Sequence, residues 1–343
     1  MAPKKLAIWV DGAYQNDAIF DQNSPLNRDN CLSAFRMLNT KMAARGWVCH
    51  TQDMYQHSEE IPDAVLFMEM PGAPVARLLG AWAGKTAPYA ALLECEVIRP
   101  DNWRMDLHSQ FKAIFTWHSG FVDNNRYFKI NFPNAFPAPG ELPRPEKKLF
   151  CAMIAAHKSA SHPLELYTER ERAIRWFEEN HPGEFDLFGI GWDRFTFTGP
   201  KPLRALNRIN LFTRLFAPRF PSYKGPVDFK RPVLEKYKFA IAYENAREVP
   251  GYITEKIFDC MFAGCVPVYR GAPDIAKYVP RACFIDRREF KTHDELYAFM
   301  KAITPADYAA KIGAIAGYLA SDKPYQFSDK CFAETVGKVI AKA

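Results

Sequence analysis

The chain has 343 residues, 48% of them hydrophobic and 24% charged, with Lys and Arg (45) exceeding Asp and Glu (39). That composition excludes a disordered or fibrous protein. The length exceeds what one ordinary core serves, so two domains of roughly 150 residues each, with a cleft between them, are expected.

The small positive excess favours anionic ligands. The longest basic cluster, around Lys224, Lys230, Arg231, Lys236 and Lys238, is interrupted by apolar residues and reads as a solvated face, so nucleic acid is not an expected partner. The eight cysteines form no CxxC pair and no zinc-type spacing with histidine, which suits buried thiols in a reducing compartment. Residues 1–5 lead straight into a short apolar run, and no later run approaches the ~20 residues of a membrane span. The expected location is cytoplasmic, at most peripheral at the inner membrane.

In chain order, strands are expected at 6–10, 47–50, 64–68, 90–94 and 113–117, with helices at about 30–44 and 74–82. Strand and helix in alternation imply an α/β layer on a largely parallel sheet. Gly46 closes the first of these helices, and Arg45 suits the negative end of its dipole. Residues 133–148, PNAFPAPGELPRPEKK, carry five prolines and a glycine without periodicity. Neither helix nor sheet interior tolerates that, so the interdomain linker is expected there, after a first domain at 1–132. The alternation restarts with strands at 149–156, 185–190, 237–243 and 266–269 and helices at 164–180 and 254–263, giving a second domain at 149–325. Helical patterns follow at 294–303, 306–320 and 328–341. In the last, Phe332, Val336, Val339 and Ile340 form one apolar stripe, so the segment 326–343 is expected to dock, with the back of the first domain as its seat.

Several common sites are missing: GxSxG, a Walker loop, HExxH, and an Asp-x-Asp pair that would hold a metal against a diphosphate. Phe188-Gly-Ile-Gly-Trp192 lacks the third glycine of a dinucleotide fingerprint, so a nicotinamide site is not expected. Residues 243–256, YENAREVPGYITEK, instead crowd hydrogen-bonding side chains at the carboxyl end of a strand and the start of a helix. Such an end is where open α/β sheets bind ligands. The free N–H groups of the helix start favour an anion, and Lys256 adds a positive charge that suggests an anion to compensate it. The Glu255 carboxylate suits sugar hydroxyls, which donate. Phosphate plus sugar suggests a nucleotide or nucleotide sugar. Taken singly, Thr254 also reads as an N-cap, Glu255 as a first-turn acid and Lys256 as a solvated lysine.

Residues 237–245 (YKFAIAYEN), 251–256 (GYITEK), 263–271 (AGCVPVYRG), and 278–280 (YVP) with 284–286 (FID) resemble, in that order, the donor-binding signature of glycosyltransferase family 10, the α1,3/α1,4-fucosyltransferases. The resemblance implies a GT-B architecture, with two Rossmann-like domains facing a central cleft, C-terminal helices, GDP-fucose in the second domain and the acceptor sugar in the first. It assigns Asn245, Tyr252, Glu255 and Lys256 to the ribose, diphosphate and fucose of the donor, and Arg170, or alternatively Arg172, to the diphosphate. It implies inversion by single displacement with one glutamate as base: Glu94, or alternatively Glu96. Arg126, Tyr127 and Lys129 are the acceptor-side candidates, with Trp117 and His118 as surfaces for sugar stacking. No metal or other cofactor is called for. The acceptor implied is a glycan containing N-acetylglucosamine or glucose, in lipopolysaccharide or another surface glycan. The linkage, the oligomeric state and the role of residues 247–250 are left open. The same residues are compatible with another GDP-sugar donor, or with a non-catalytic protein that binds nucleotide or glycan.

Overall fold

The computed structural model describes residues 2–138, 147–197 and 199–342. The first half runs β1 (Lys4–Trp9), α1 (Ser33–Ala43), β2 (Trp47–Thr51), α2 (Gln52–Gln56), β3 (Ala64–Met68), α3 (Val75–Leu79), β4 (Ala87–Leu92), β5 (Ala113–Thr116) and β6 (Tyr127–Lys129). Its strands form one parallel sheet in the order β2-β1-β3-β4-β5-β6. The second half runs β7 (Leu149–Ile154), α4 (Tyr167–Asn180), β8 (Phe185–Phe188), α5 (Lys201–Ala205), α6 (Asn210–Leu215), α7 (Arg231–Leu234), β9 (Tyr237–Tyr243), α8 (Glu255–Phe262), β10 (Val266–Arg270), β11 (Ile285–Asp286), α9 (His293–Ala302) and α10 (Pro305–Leu319). Its sheet is also parallel, in the order β11-β10-β9-β7-β8. Each sheet therefore begins one strand in from an edge, adds its second strand on that side and the rest on the other, as in doubly wound folds. Such a sheet opens a ligand crevice at the carboxyl ends of its strands.

The sequence explains the layers. β3, β4 and β9 are almost wholly apolar, as strands covered on both faces must be, and their side chains are buried. In α8, Ile257, Phe258 and Met261 are fully buried against the second sheet, and Gly264, with φ of 59°, ends the helix. β4 begins and ends earlier than the 90–94 run suggested. It is in register with β3, pairing Ala64 with Ala87 and Met68 with Ala91, so it stops soon after its partner does. Leu93 and Glu94 thus lie in the loop beyond the strand, not in it.

α11 (Asp329–Ala341) returns to the first half of the chain and lies on α1. Phe332, Ala333, Val336 and Ile340 are buried with Leu38 and Met42, and Lys41 Nζ meets Glu334 at 2.9 Å. Of the segment 133–148, residues 139–146 lie outside the described residues. In the described part, Asn134 bridges to Ser328, and Lys147 Nζ donates to the carbonyls of Glu235 and Ala263 at 2.7 Å each. Among the described residues no helix is long and apolar enough to cross a membrane.

Candidate active site in the interdomain cleft

A cavity of about 1550 Å³ lies between the two sheets. Its walls include Asp11, Glu69 and Glu94 from the first sheet's carboxyl ends and Arg170, Asn245, Tyr252, Glu255 and Lys256 from the second half. Gly189 also lines it, with φ of 126°. A Cβ there would stand 2.0 Å from the Ala155 carbonyl oxygen, so the glycine of the incomplete Gly-x-Gly lets two strand ends close up.

A line of hydrogen bonds crosses the cleft. Arg170, on α4, is 4% exposed, and its Nη2 donates to the carbonyls of Tyr243 (2.7 Å) and Glu244 (2.8 Å) and to Asn245 Oδ1 (3.1 Å). Asn245 Nδ2 donates to the Tyr252 hydroxyl (3.1 Å), and that hydroxyl donates to Glu94 Oε2 (3.0 Å). Burial, then the Glu94 charge, push the Tyr252 phenol well above its ordinary value, so its proton stays in place. Glu94 is the single first-half member of this line. Tyr252 also packs on Trp117, with ring centroids 5.2 Å apart, and the Trp117 indole N–H donates to the Leu93 carbonyl at 2.8 Å.

The start of α8 is organised around Glu244, which is fully buried. Its carboxylate accepts from the Thr254 N–H (2.8 Å) and hydroxyl (2.7 Å), so Thr254 serves Glu244 and its side chain makes no helix cap. Lys256 Nζ stands 3.5 Å from Glu244, 3.3 Å from Glu255 and 3.0 Å from Thr254 Oγ1. The lysine that suggested an outside anion is thus compensated inside the protein by two carboxylates. Burial opposes the charge on Glu255, but Lys256 and Lys230 overcome it and hold its carboxyl well below the usual range. Lys230 Nζ meets Asp259 at 2.7 Å, and its N–H donates to Asp29 of the first half at 2.9 Å. Gly271, in the AGCVPVYRG segment, is required by Glu244: a Cβ there would lie 2.4 Å from Glu244 Cγ.

The structure divides the sequence candidates. Glu94, Arg170, Asn245, Tyr252, Glu255 and Lys256 share the cavity. Glu96 points away, with its side chain 61% exposed and 3.9 Å from His162. Arg172 is 70% exposed beside Glu169, one helix face from Arg170. Arg126, Tyr127 and Lys129 form no part of the cavity wall. Arg126 donates to the carbonyls of His108 and Phe111, Tyr127 bonds His108, and Lys129 donates to the Trp117 carbonyl and Ser119. Tyr127 and Lys129 belong to β6, an edge strand that is not among the strands expected from the sequence. Burial, eased by Asp274, lowers Lys129 to about 8. Trp117 is 1% exposed and His118 stacks on Phe121 at 4.2 Å, so both rings are occupied by protein rather than held open for a sugar. Residues 247–250 acquire a structural role: Arg247 donates to the Leu164 and Pro163 carbonyls, and Val249 packs into the Trp117–Tyr252 cluster.

Residues 202–310 match the model of glycosyltransferase family 10 (fucosyltransferase), C-terminal part. The resemblance to family 10 holds. The chain is 33% identical over 138 residues to an alpha-(1,3)-fucosyltransferase, FucT, of Helicobacter pylori, covering 36% of this chain and 28% of that protein. It is 39% identical over 70 residues to an alpha-(1,4)-fucosyltransferase of Arabidopsis thaliana, covering 20% of this chain and 17% of the relative. These matches span less than a third of either relative. A crystal structure of an alpha1,3-fucosyltransferase with GDP-fucose has the same fold, with a TM-score of 0.54 at 16% identity over 99% of this chain and 91% of that one. The architecture is GT-B. The family 10 match begins inside α5 and contains β9, the Glu244 loop, α8 and β10, so it covers every second-half residue of the cross-cleft line except Arg170.

Proposed function

We propose that this chain is a fucosyltransferase that moves L-fucose from GDP-β-L-fucose to a hydroxyl of a glycan acceptor, with inversion and with Glu94 as general base. The observation that carries the reading is the hydrogen-bonded line from Arg170 through Asn245 and Tyr252 to Glu94, which ties a free carboxylate of one sheet to the donor signature of the other. A carboxylate on the acceptor side is what a single displacement needs: it takes the acceptor hydroxyl's proton as that oxygen attacks C1 of fucose and the bond to the β-phosphate breaks. An acceptor hydroxyl at Glu94 would replace the Tyr252 hydroxyl as its hydrogen-bond donor. Negative charge on the departing GDP falls toward Arg170 and Lys256, two cations of the cavity wall, which suits a departure without a protein acid and without a metal ion. Glu255, held ionised, is an acceptor for sugar hydroxyls. Both 1,3 and 1,4 linkages occur among the relatives' names. We propose a cytoplasmic location, which the eight free cysteines suit.

The test is turnover with a panel of GDP-sugars and N-acetylglucosamine- or glucose-containing acceptors. GDP-fucose should be the preferred donor, and Glu94→Gln should lower kcat by about 10²–10⁴-fold, the range of general base catalysis, with GDP affinity unchanged. Equal use of GDP-mannose would refute the donor, and full activity of Glu94→Gln would refute the base. GDP binding with no transfer to any acceptor would mark a binding protein instead.

A further inference from the structure

Between Asp193 and Asp228 there is no acidic residue, while seven are Lys or Arg. This segment alone carries more positive charge than the whole chain's net +6, so the remainder is close to neutral and the excess that composition showed is local. The same segment, leaving the cleft rim after Gly189 and Ile190, holds α5 and α6 and a dense set of exposed large apolar side chains. Leu203 (48% exposed), Ile209 (45%), Leu211 (71%), Leu215 (69%) and Phe216 (57%) stand in water with Lys201, Arg204, Arg208 and Arg214 between them. The segment is nonetheless organised: the Phe195 N–H donates to the Thr213 carbonyl at 2.7 Å, Asn207 bonds both backbone groups of Phe197, and Phe197 packs on Phe216.

We propose that residues 194–197 and 199–219 form an interfacial surface that seats the protein on an anionic lipid membrane. Scattered exposed leucines need no explanation, but this many in one short segment mark an interaction surface. Apolar side chains interleaved with arginine are what a headgroup layer receives: the leucines and phenylalanine enter the acyl boundary while guanidinium groups meet lipid phosphates. A partner recognised by charge alone would have no use for Leu211 and Leu215, and one recognised by apolar contact alone would not call for an unbroken run of cations. Since the segment leaves the rim of the cavity, lipid contact would hold the cleft mouth near the bilayer. This inference does not depend on the identity of the transferred sugar.

Sedimentation of the full chain with lipid vesicles tests it. Vesicles of phosphatidylcholine mixed with phosphatidylglycerol should carry the protein down at ~0.15 M salt, and vesicles of phosphatidylcholine alone should not. Arg204→Gln with Arg208→Gln should weaken the partition by about fivefold per arginine. Leu203→Gln, Leu211→Gln and Leu215→Gln together should abolish it, with melting temperature and GDP binding unchanged because these side chains are largely in water. No sedimentation with the mixed vesicles overturns the proposal. So does retained binding of the triple variant, which would mean bare electrostatic attraction, or tighter binding of an RNA oligonucleotide than of the vesicles.

Discussion

Glu69 sits at the end of β3 with φ of 69°, a backbone region that residues with a Cβ seldom occupy. Its carboxylate accepts from the N–H groups of Leu93 (3.2 Å) and Glu94 (3.1 Å) and from Asn102 Nδ2, which also donates to the Glu94 carbonyl. Glu69 thus holds the loop that aims Glu94 and acts as a positioning residue. Burial pushes its carboxyl up to about 7, opposed by Asn102 and assisted by the Glu94 charge. Because the folded value lies above the unfolded one, the folded state binds more protons between about pH 4.5 and 7, and this group's contribution to stability is lost as pH rises through that window. Glu69→Gln removes the effect. The unfolding free energy of the variant, relative to the parent, should rise between pH 5 and pH 8 by a difference on the order of 1–3 kcal/mol, read from denaturant unfolding at each pH. A pH-independent difference would mean that Glu69 does not titrate there. Sequence reading passed over this residue because nothing local marks it; its partners are more than twenty positions away. The same limit separated Glu94 from Glu96 and Arg170 from Arg172 only by geometry, since neighbours on a loop or helix share composition and differ in direction.

Elements built on one strong period were legible. The β9 apolar run, the α8 stripe ended by Gly264 and the strand β10 were readable because burial on known faces forces those patterns. α5 and α6 were not, being five and six residues long with no side-chain cap, too short to show a helical period. β6 has three residues at a sheet edge, which no alternation can reveal. For α11, the stripe says that the helix must dock; it lies so close on α1 that even a Cβ at Gly337 would be in van der Waals contact with Met42 Sδ at 3.4 Å and Leu38 Cδ1 at 3.8 Å. Ile340, fully buried there, contributes through apolar burial. Ile340→Ala should cost about 2–5 kcal/mol in denaturant unfolding, as deletion of a buried isoleucine does elsewhere. A loss below ~1 kcal/mol would mean that α11 is detached in solution.

At the scale of the molecule, the cleft is both the site and a seam. Among the contacts that cross it are Tyr252 with Glu94, Tyr252 with Trp117, and Lys230 with Asp29. A hydrogen bond to a charged acceptor contributes about 1.5–3 kcal/mol, so Glu94 and Tyr252 should be coupled in the unliganded protein. That coupling competes with catalysis, because a proton donor held on Glu94 Oε2 lowers the basicity of the carboxylate that must take the acceptor's proton. A double-mutant cycle with Glu94→Gln and Tyr252→Phe, measured by unfolding, should give an interaction of about 1–2 kcal/mol without ligands. With GDP and acceptor both bound, Glu94 takes its proton donor from the substrate and the interaction should fall toward zero. Tyr252→Phe keeps the ring on Trp117 and Glu94→Gln does not touch it, so that contact cancels in the cycle. If the coupling persists unchanged in the ternary complex, Tyr252 remains on Glu94 during turnover, and the exchange of proton donors at Glu94 is refuted.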